Sequence, residues 1–255
     1  MSMVQKTIEG AVALVELQRP PVNALSGDLA AELSSVFNEC RDPAIRAVVV
    51  TGRPHFAAGA DIKGFQESFD AGADGKLAPS VADAVADLEA LEKPTIAAVH
   101  GFALGGGLEL AMGADFRYLA EDARVGQPEI NLGIIPGAGG TQRLPRLIGF
   151  QAAKELVYSG RHVEPSEALD LGIADRVHPA NEVLDRAMAD AAEWAKGPTL
   201  ALAAAKRALA GGWGAPLQEG LSVEAEAFAT AFGTADAREG VAAFIEKRTP
   251  EFKGN

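Results

Sequence analysis

The sequence has a single cysteine, Cys40, so no internal disulfide can form. No CxxC pair and no cysteine–histidine cluster accompanies it, which argues against a structural zinc site. Cys40 reads as a packing residue near the end of a helix. No apolar run approaches the ~20 residues needed to cross a bilayer. The opening Met-Ser-Met-Val-Gln-Lys has no apolar h-region, so no secretory signal is expected. Positive charge is also scarce, with 23 lysines and arginines against 35 aspartates and glutamates and a net charge of −12. A nucleic-acid binder needs a basic stripe to displace counterions from phosphates, and none is present. An anionic small molecule would need a local positive patch set against that field. These absences together predict a cytoplasmic protein without nucleic-acid or membrane partners.

What is present is core material and glycine. The chain has 255 residues, of which 48% are hydrophobic, enough for one large domain or a core with an appendage. Its 28 glycines are uneven and cluster at 101–107 and 133–140. Alternating valines predict a strand over residues 11–17, stopped by Arg19-Pro20-Pro21. Ser26 is a candidate N-cap for a helix to about Asn38, with Ala30, Leu33, Val36 and Phe37 at helical spacing. Residues 46–51 and 95–100 are buried strands, 81–91 a helix ended by Pro94, and 116–119 a further strand. Residues 108–112 form a short helix. After the second glycine cluster the chain reads as mainly helical. The alternation in the first part predicts an α/β class. A soft boundary near Gly197-Pro198 divides a core, residues 1–197, from a helical C-terminal region, 198–255.

The segment Gly101-Phe-Ala-Leu-Gly105-Gly106-Gly107-Leu-Glu109-Leu follows a strand and opens a helix. That arrangement directs free backbone N–H groups outward with a positive dipole end behind them, which suits a developing negative charge. A dinucleotide fingerprint fails on detail, because Leu110 stands where the third glycine belongs and the helix is short. The segment Gly137-Ala-Gly139-Gly140-Thr-Gln lacks the third glycine too, and there is no Walker A motif. Glu109 lies between Leu108 and Leu110, and Glu129 sits in Val125-Gly-Gln-Pro-Glu129-Ile. Taken singly, each is most simply a solvated glutamate, or a first-turn glutamate favouring the helix dipole. Two glutamates in apolar settings, each beside a glycine-rich turn, point instead to a buried acid–base pair with raised pKa values.

At this level of detail the chain resembles the crotonase, or enoyl-CoA hydratase/isomerase, superfamily over nearly its whole length. The resemblance rests on Phe56-Ala-Ala-Gly-Ala60-Asp-Ile-Lys63, on the 101–111 segment, and on Gly126-Gln-Pro-Glu129-Ile with the downstream Ile-Pro136-Gly-Ala-Gly-Gly-Thr-Gln-Arg-Leu. Glu239-Gly240, Phe244, Glu246-Lys247-Arg248 and Pro250-Glu-Phe252 extend it to the last helix. The resemblance implies a superhelix of repeated ββα units with a helical C-terminal region that builds homotrimers, commonly paired into hexamers. It implies an oxyanion hole from the backbone N–H groups of Ala60 and Gly106. Glu109 would activate the water that attacks C3, and Glu129 would deliver the proton to C2 of a trans-2-enoyl-CoA.

By the same resemblance, Ala24, Ala58, Ala60, Asp61, Ile62, Lys63, Gly105, Gly106, Phe244 and Lys247 would contact the coenzyme A thioester, the last two from a neighbouring subunit. Ala24 lies in Asn23-Ala24-Leu25, a family segment whose backbone lies near the CoA. No metal and no separate cofactor is expected, coenzyme A being part of the substrate. His100 is read as a packed strand-end residue, because no serine or second histidine completes a triad. Residues 64–80 are expected to border the acyl pocket. Retention of both glutamates favours hydration. A Δ3,Δ2-enoyl-CoA isomerase and a non-catalytic acyl-CoA-binding relative remain alternatives.

Overall fold

The computed structural model describes residues 2–62, 64, 66, 70, 72 and 80–255. The chain opens with an antiparallel hairpin of β1 (Val4–Glu9) and β2 (Val12–Leu17), which Gly10 turns at a φ of 60°. The first strand carries only two apolar side chains, Val4 and Ile8, one buried and one exposed, so its alternation in the sequence is faint. Helix α1 (Gly27–Glu39) follows, and Ser26 caps it by accepting from the Leu29 N–H. Its buried face is Leu29, Ala30, Leu33, Val36 and Phe37, as the periodicity predicts. Cys40 is its C-cap and is fully buried.

A repeating pattern comes next. One strand enters a large sheet, a second strand enters a small sheet, and helical structure packs behind. The pairs are β3 (Ala47–Gly52) with β4 (Ala57–Ala58), β5 (Thr95–Val99) with β6 (Phe102–Leu104), and β7 (Phe116–Ala120) with β8 (Arg124–Gly126). The large sheet runs β1-β2-β3-β5-β7-β10 and the small sheet β4-β6-β8-β9. β3, β5 and β7 are parallel neighbours, as are β4, β6 and β8. β3 and β5 are buried along their whole length, which explains their unbroken apolar runs. Helix α2 (Ser80–Glu89) lies between the first and second pairs, and α3 (Gly106–Met112) follows the second. The predicted 101–107 turn therefore contains a three-residue strand, too short to show a period.

A 3-10 helix (Pro128–Leu132) leads to α4 (Gly140–Ile148), α5 (Phe150–Ser159), α6 (Pro165–Leu171), α7 (Val183–Trp194), α8 (Thr199–Gly212), α9 (Leu217–Phe232) and α10 (Ala235–Glu246). Two short strands interrupt this half: β9 (His162–Val163) closes the small sheet and β10 (Arg176–His178) the large one. The core joins the large sheet, α1, α2, α3 and the inner face of α7. Buried cations stitch its periphery. Lys93 donates to the carbonyls of Cys40, Asp42 and Ile45 at 2.7, 3.0 and 2.7 Å. Arg46 reaches Thr199 and the carbonyls of Gly197 and Phe252, so the tail returns to the sheet. Among the described residues no helix is long and apolar enough to cross a membrane.

Candidate active site

The site lies where the small sheet hands over to the helices. β4 carries the chain into Gly59-Ala60-Asp61, and Ala60 bridges Leu25 in parallel. In that bridge Leu25 donates to the Gly59 carbonyl and Asp61 donates to the Leu25 carbonyl, at 2.9 and 3.0 Å. Successive peptide groups alternate in direction, so the Ala60 N–H points away from the Leu25 strand. Gly106, the first residue of α3, lies close by: a Cβ built on it would be 3.9 Å from the Ala60 nitrogen. The Gly106 N–H belongs to the first helical turn and has no intrahelical acceptor.

Two glycines make this approach possible. Gly105 precedes α3 with a φ of 52°, and the Glu129 carboxylate occupies the space its side chain would fill, 2.9 Å from an ideal Cβ. Gly107 packs directly on β4, where an added Cβ would fall 2.0 Å from the Ala57 carbonyl oxygen. The Gly105 N–H donates to the Gly126 carbonyl at 2.9 Å, tying this turn to the segment that carries Glu129.

Glu109 is one turn into α3 and only 2% exposed. Its Oε1 accepts from the Ala138 and Gly140 N–H groups, both at 2.7 Å, so the second glycine-rich segment is a cradle for the glutamate of the first. Burial raises its pKa, while those two donors and the Arg143 charge oppose the rise. Glu129 is half-buried in the 3-10 helix, where Pro128 fixes the first position. Burial, helped by the Glu109 charge, pushes its pKa up to about 7 from an ordinary 4.5. Both carboxyl pKa values are thus raised, that of Glu109 against the pull of two amides and an arginine and that of Glu129 to about 7.

A model of the enoyl-CoA hydratase/isomerase family matches residues 7–255. The chain belongs to that family. It is 42% identical to a probable enoyl-CoA hydratase of Bacillus subtilis over the full length of both chains. A short-chain-enoyl-CoA hydratase of Clostridium acetobutylicum is 41% identical, covering 95% of this chain and 94% of its own. The crystal structure of an enoyl-CoA hydratase from Bacillus anthracis superposes with a TM-score of 0.92 at 38% identity, covering all of both chains. The two-sheet pattern of strand pairs is thus the crotonase fold the sequence predicts.

Within this family frame, the predicted residues separate into groups. Ala24, Ala58, Ala60, Asp61, Gly105 and Gly106 converge around β4 and the start of α3. Ala58 donates to the Val22 carbonyl, and Arg19 joins the Ala24 carbonyl to the Asp61 carboxylate at 2.6 and 2.5 Å. Asp61 is therefore an ion-pair partner that orders the loop. Ile62 is exposed at the loop's outer edge. Lys63 lies outside the described residues, as does most of 64–80. Phe244 and Lys247 are on α10, whose Gly240 lies against the Phe252 ring; Phe244 is 86% exposed and Lys247 is the helix C-cap. His100 is half-buried at the end of β5, and its carbonyl accepts from Phe56, in keeping with a packing role.

Two polar residues escaped sequence reasoning. Asn23 is fully buried in the left-handed region at a φ of 52°, and its amide donates to the His55 carbonyl at 2.7 Å and to the Leu17 carbonyl at 3.2 Å. It braces the segment that leads into Ala57–Ala60. Gln127 is also fully buried, and with its nitrogen turned toward Glu129 it donates to that carboxylate at 2.9 Å. An Asn followed by two apolar residues is the only local signal for the first. The second stands inside the Gly126-Gln-Pro-Glu129 motif, which by itself assigns it no role.

Proposed function

We propose that the protein adds water across the trans-2 double bond of an enoyl-CoA thioester. The observation that carries this reading is the pair of carboxyls beside the Gly105–Gly107 turn, Glu109 held by two backbone amides and Glu129 set against Gly105. The Ala60 and Gly106 N–H groups donate to the thioester oxygen as it gains enolate charge, and a donor of this kind contributes ~3 kcal/mol to the transition state. Glu109 takes a proton from a water as its oxygen bonds to C3. Glu129 gives its proton to C2. The product gains one O–H and one C–H bond, and the carboxyls reset when the proton on Glu109 passes to Glu129 through a second water.

The substrate and assembly follow from the same reading. Coenzyme A enters along Ala24, Ala58, Ala60, Asp61 and Ile62, with Lys63 beside them in the sequence, and Phe244 and Lys247 reach it from a neighbouring copy. Residues 198–255 form the oligomerisation region of a homotrimer or a hexamer of paired trimers. Support comes from the large apolar side chains that α8, α9 and α10 leave exposed, among them Leu209, Leu217, Phe228 and Ile245.

Glu109→Gln and Glu129→Gln should each lower turnover of crotonyl-CoA by roughly 10²–10⁴-fold while leaving CoA-ester binding intact. Turnover is read from loss of the conjugated-thioester absorbance. Normal rates in both variants would remove the carboxylate mechanism. An unchanged crotonyl-CoA signal beside a gain of absorbance from a 3-enoyl-CoA would make the isomerase the correct activity.

A further inference from the structure

The turn that cradles Glu109 is itself held from behind. Arg143 lies on the first turn of α4 and folds back over Gly139, where its Nη1 would be 2.0 Å from any Cβ placed there. Gly139 has a φ of 107°, so this position suits glycine on conformation as well as on space. From there Nη1 donates to the Ala138 carbonyl at 3.1 Å. The neighbouring Ala138 N–H donates to Glu109 at 2.7 Å. Ala138 is thus pinned on both its polar groups, one by the catalytic carboxylate and one by the arginine.

The other side of the guanidinium pairs with Glu89, Nε at 3.2 Å and Nη2 at 2.5 Å. Glu89 ends α2, and Val81 in the first turn of that helix lies 3.8 Å from a Cβ built on Gly106. The arginine is one-fifth exposed and the glutamate more than half exposed. The pair alone is therefore worth little, and the contact with Ala138 is the one of consequence.

We propose that Arg143 is a positioning residue for Glu109: it fixes the Ala138–Gly139 peptide, and so the two flanking peptides whose Ala138 and Gly140 N–H groups stay on the carboxylate. This inference rests on the reading of Glu109 as the water-activating base. Among the described residues, the charged groups acting on the two catalytic glutamates are Arg143 from α4, which favours the ionised form of Glu109, and Glu109, which raises Glu129. Glu89 offsets part of the arginine's charge. Removing Arg143 loosens the amide cradle and withdraws a positive charge. Both changes make Glu109 harder to ionise.

The test compares Arg143→Met, Arg143→Lys, Glu89→Gln and Glu109→Gln by steady-state kinetics on crotonyl-CoA across pH. Arg143→Met should lower kcat on the order of 10–100-fold with KM within about twofold, and should move the acid limb of kcat/KM to higher pH. Arg143→Lys should restore the position of that limb, because the charge returns, and recover part of kcat. Glu89→Gln should stay within about twofold of wild type, since it leaves the grip on Ala138 in place. An unshifted limb in both Arg143 variants, or a Glu89→Gln defect as large as that of Arg143→Met, overturns the proposal. Should Arg143→Met not fold, Arg143→Gln, which also lacks the charge, takes its place with the same expected limb shift, and an unshifted limb there overturns the proposal. A silent Arg143 with a dead Glu109→Gln refutes this inference alone, whereas an active Glu109→Gln refutes the reading beneath it.

Discussion

Gly107→Ala replaces a hydrogen with a methyl group at the point where α3 rests on β4. The new Cβ would stand 2.0 Å from the Ala57 carbonyl oxygen, 2.7 Å from its carbonyl carbon and 3.0 Å from its Cβ. All three atoms belong to a buried residue in a strand paired on to Ala103, so they cannot turn aside as a long side chain can. Relieving the overlap needs a separation of about 1 Å between helix and strand, given the tight packing of protein interiors. That shift separates the Ala60 and Gly106 donors, which sit on opposite sides of the contact. Overpacking of this kind costs ~1–3 kcal/mol of stability. Misplacing reacting groups by 1 Å costs ~100-fold in rate, or ~2.7 kcal/mol of barrier. Thermal unfolding followed by circular dichroism reads the first effect, and crotonyl-CoA turnover at a temperature where the variant is folded reads the second. Gly137→Ala is the control, because nothing lies within 4 Å of its Cβ position; it should change stability by less than ~0.5 kcal/mol. A Gly107→Ala protein with wild-type melting and turnover would refute the idea that this contact sets the spacing of the two donors.

Two further predictions follow from the site and the C-terminal helices. Glu129 must be protonated to deliver its proton, and its pKa is raised to about 7, so kcat/KM should be sustained below that pH and fall above it. The residual activity of Glu129→Gln should lack this alkaline limb, and a limb that persists there unchanged would assign it to another group. Phe228 and Phe232 stack with ring centroids 5.6 Å apart on the exposed face of α9. Phe228→Asp should lower the mass measured by sedimentation if that face joins copies of the chain, and an unchanged assembly would exclude it from the interface.

Local patterns in the sequence were strong where burial is continuous. The valines of β3 and the apolar stripe of α1 announce their elements because every residue on the relevant face meets the core. The strands of the small sheet were not legible, since β4 and β9 have two residues each and a period cannot show in two. β1 was missed for a related reason: its edge position buries only Val4 well. The glycine clusters and the two glutamates were visible as motifs, yet each glutamate alone resembles a surface residue.

The sequence by itself determined the α/β alternation, the candidate pair Glu109 and Glu129, and the family. Repeated apolar runs and fixed motifs survive in one dimension. Only the tertiary structure decided that the second glycine segment, 29 and 31 residues beyond Glu109, supplies the amides that hold it. It also decided that both carboxyls have raised pKa values, because that depends on burial and on neighbouring charges. The same is true of Asn23, Gln127 and Arg143. Their roles come from polar atoms that must find partners once water is excluded, and which partners they find is settled by the folded backbone.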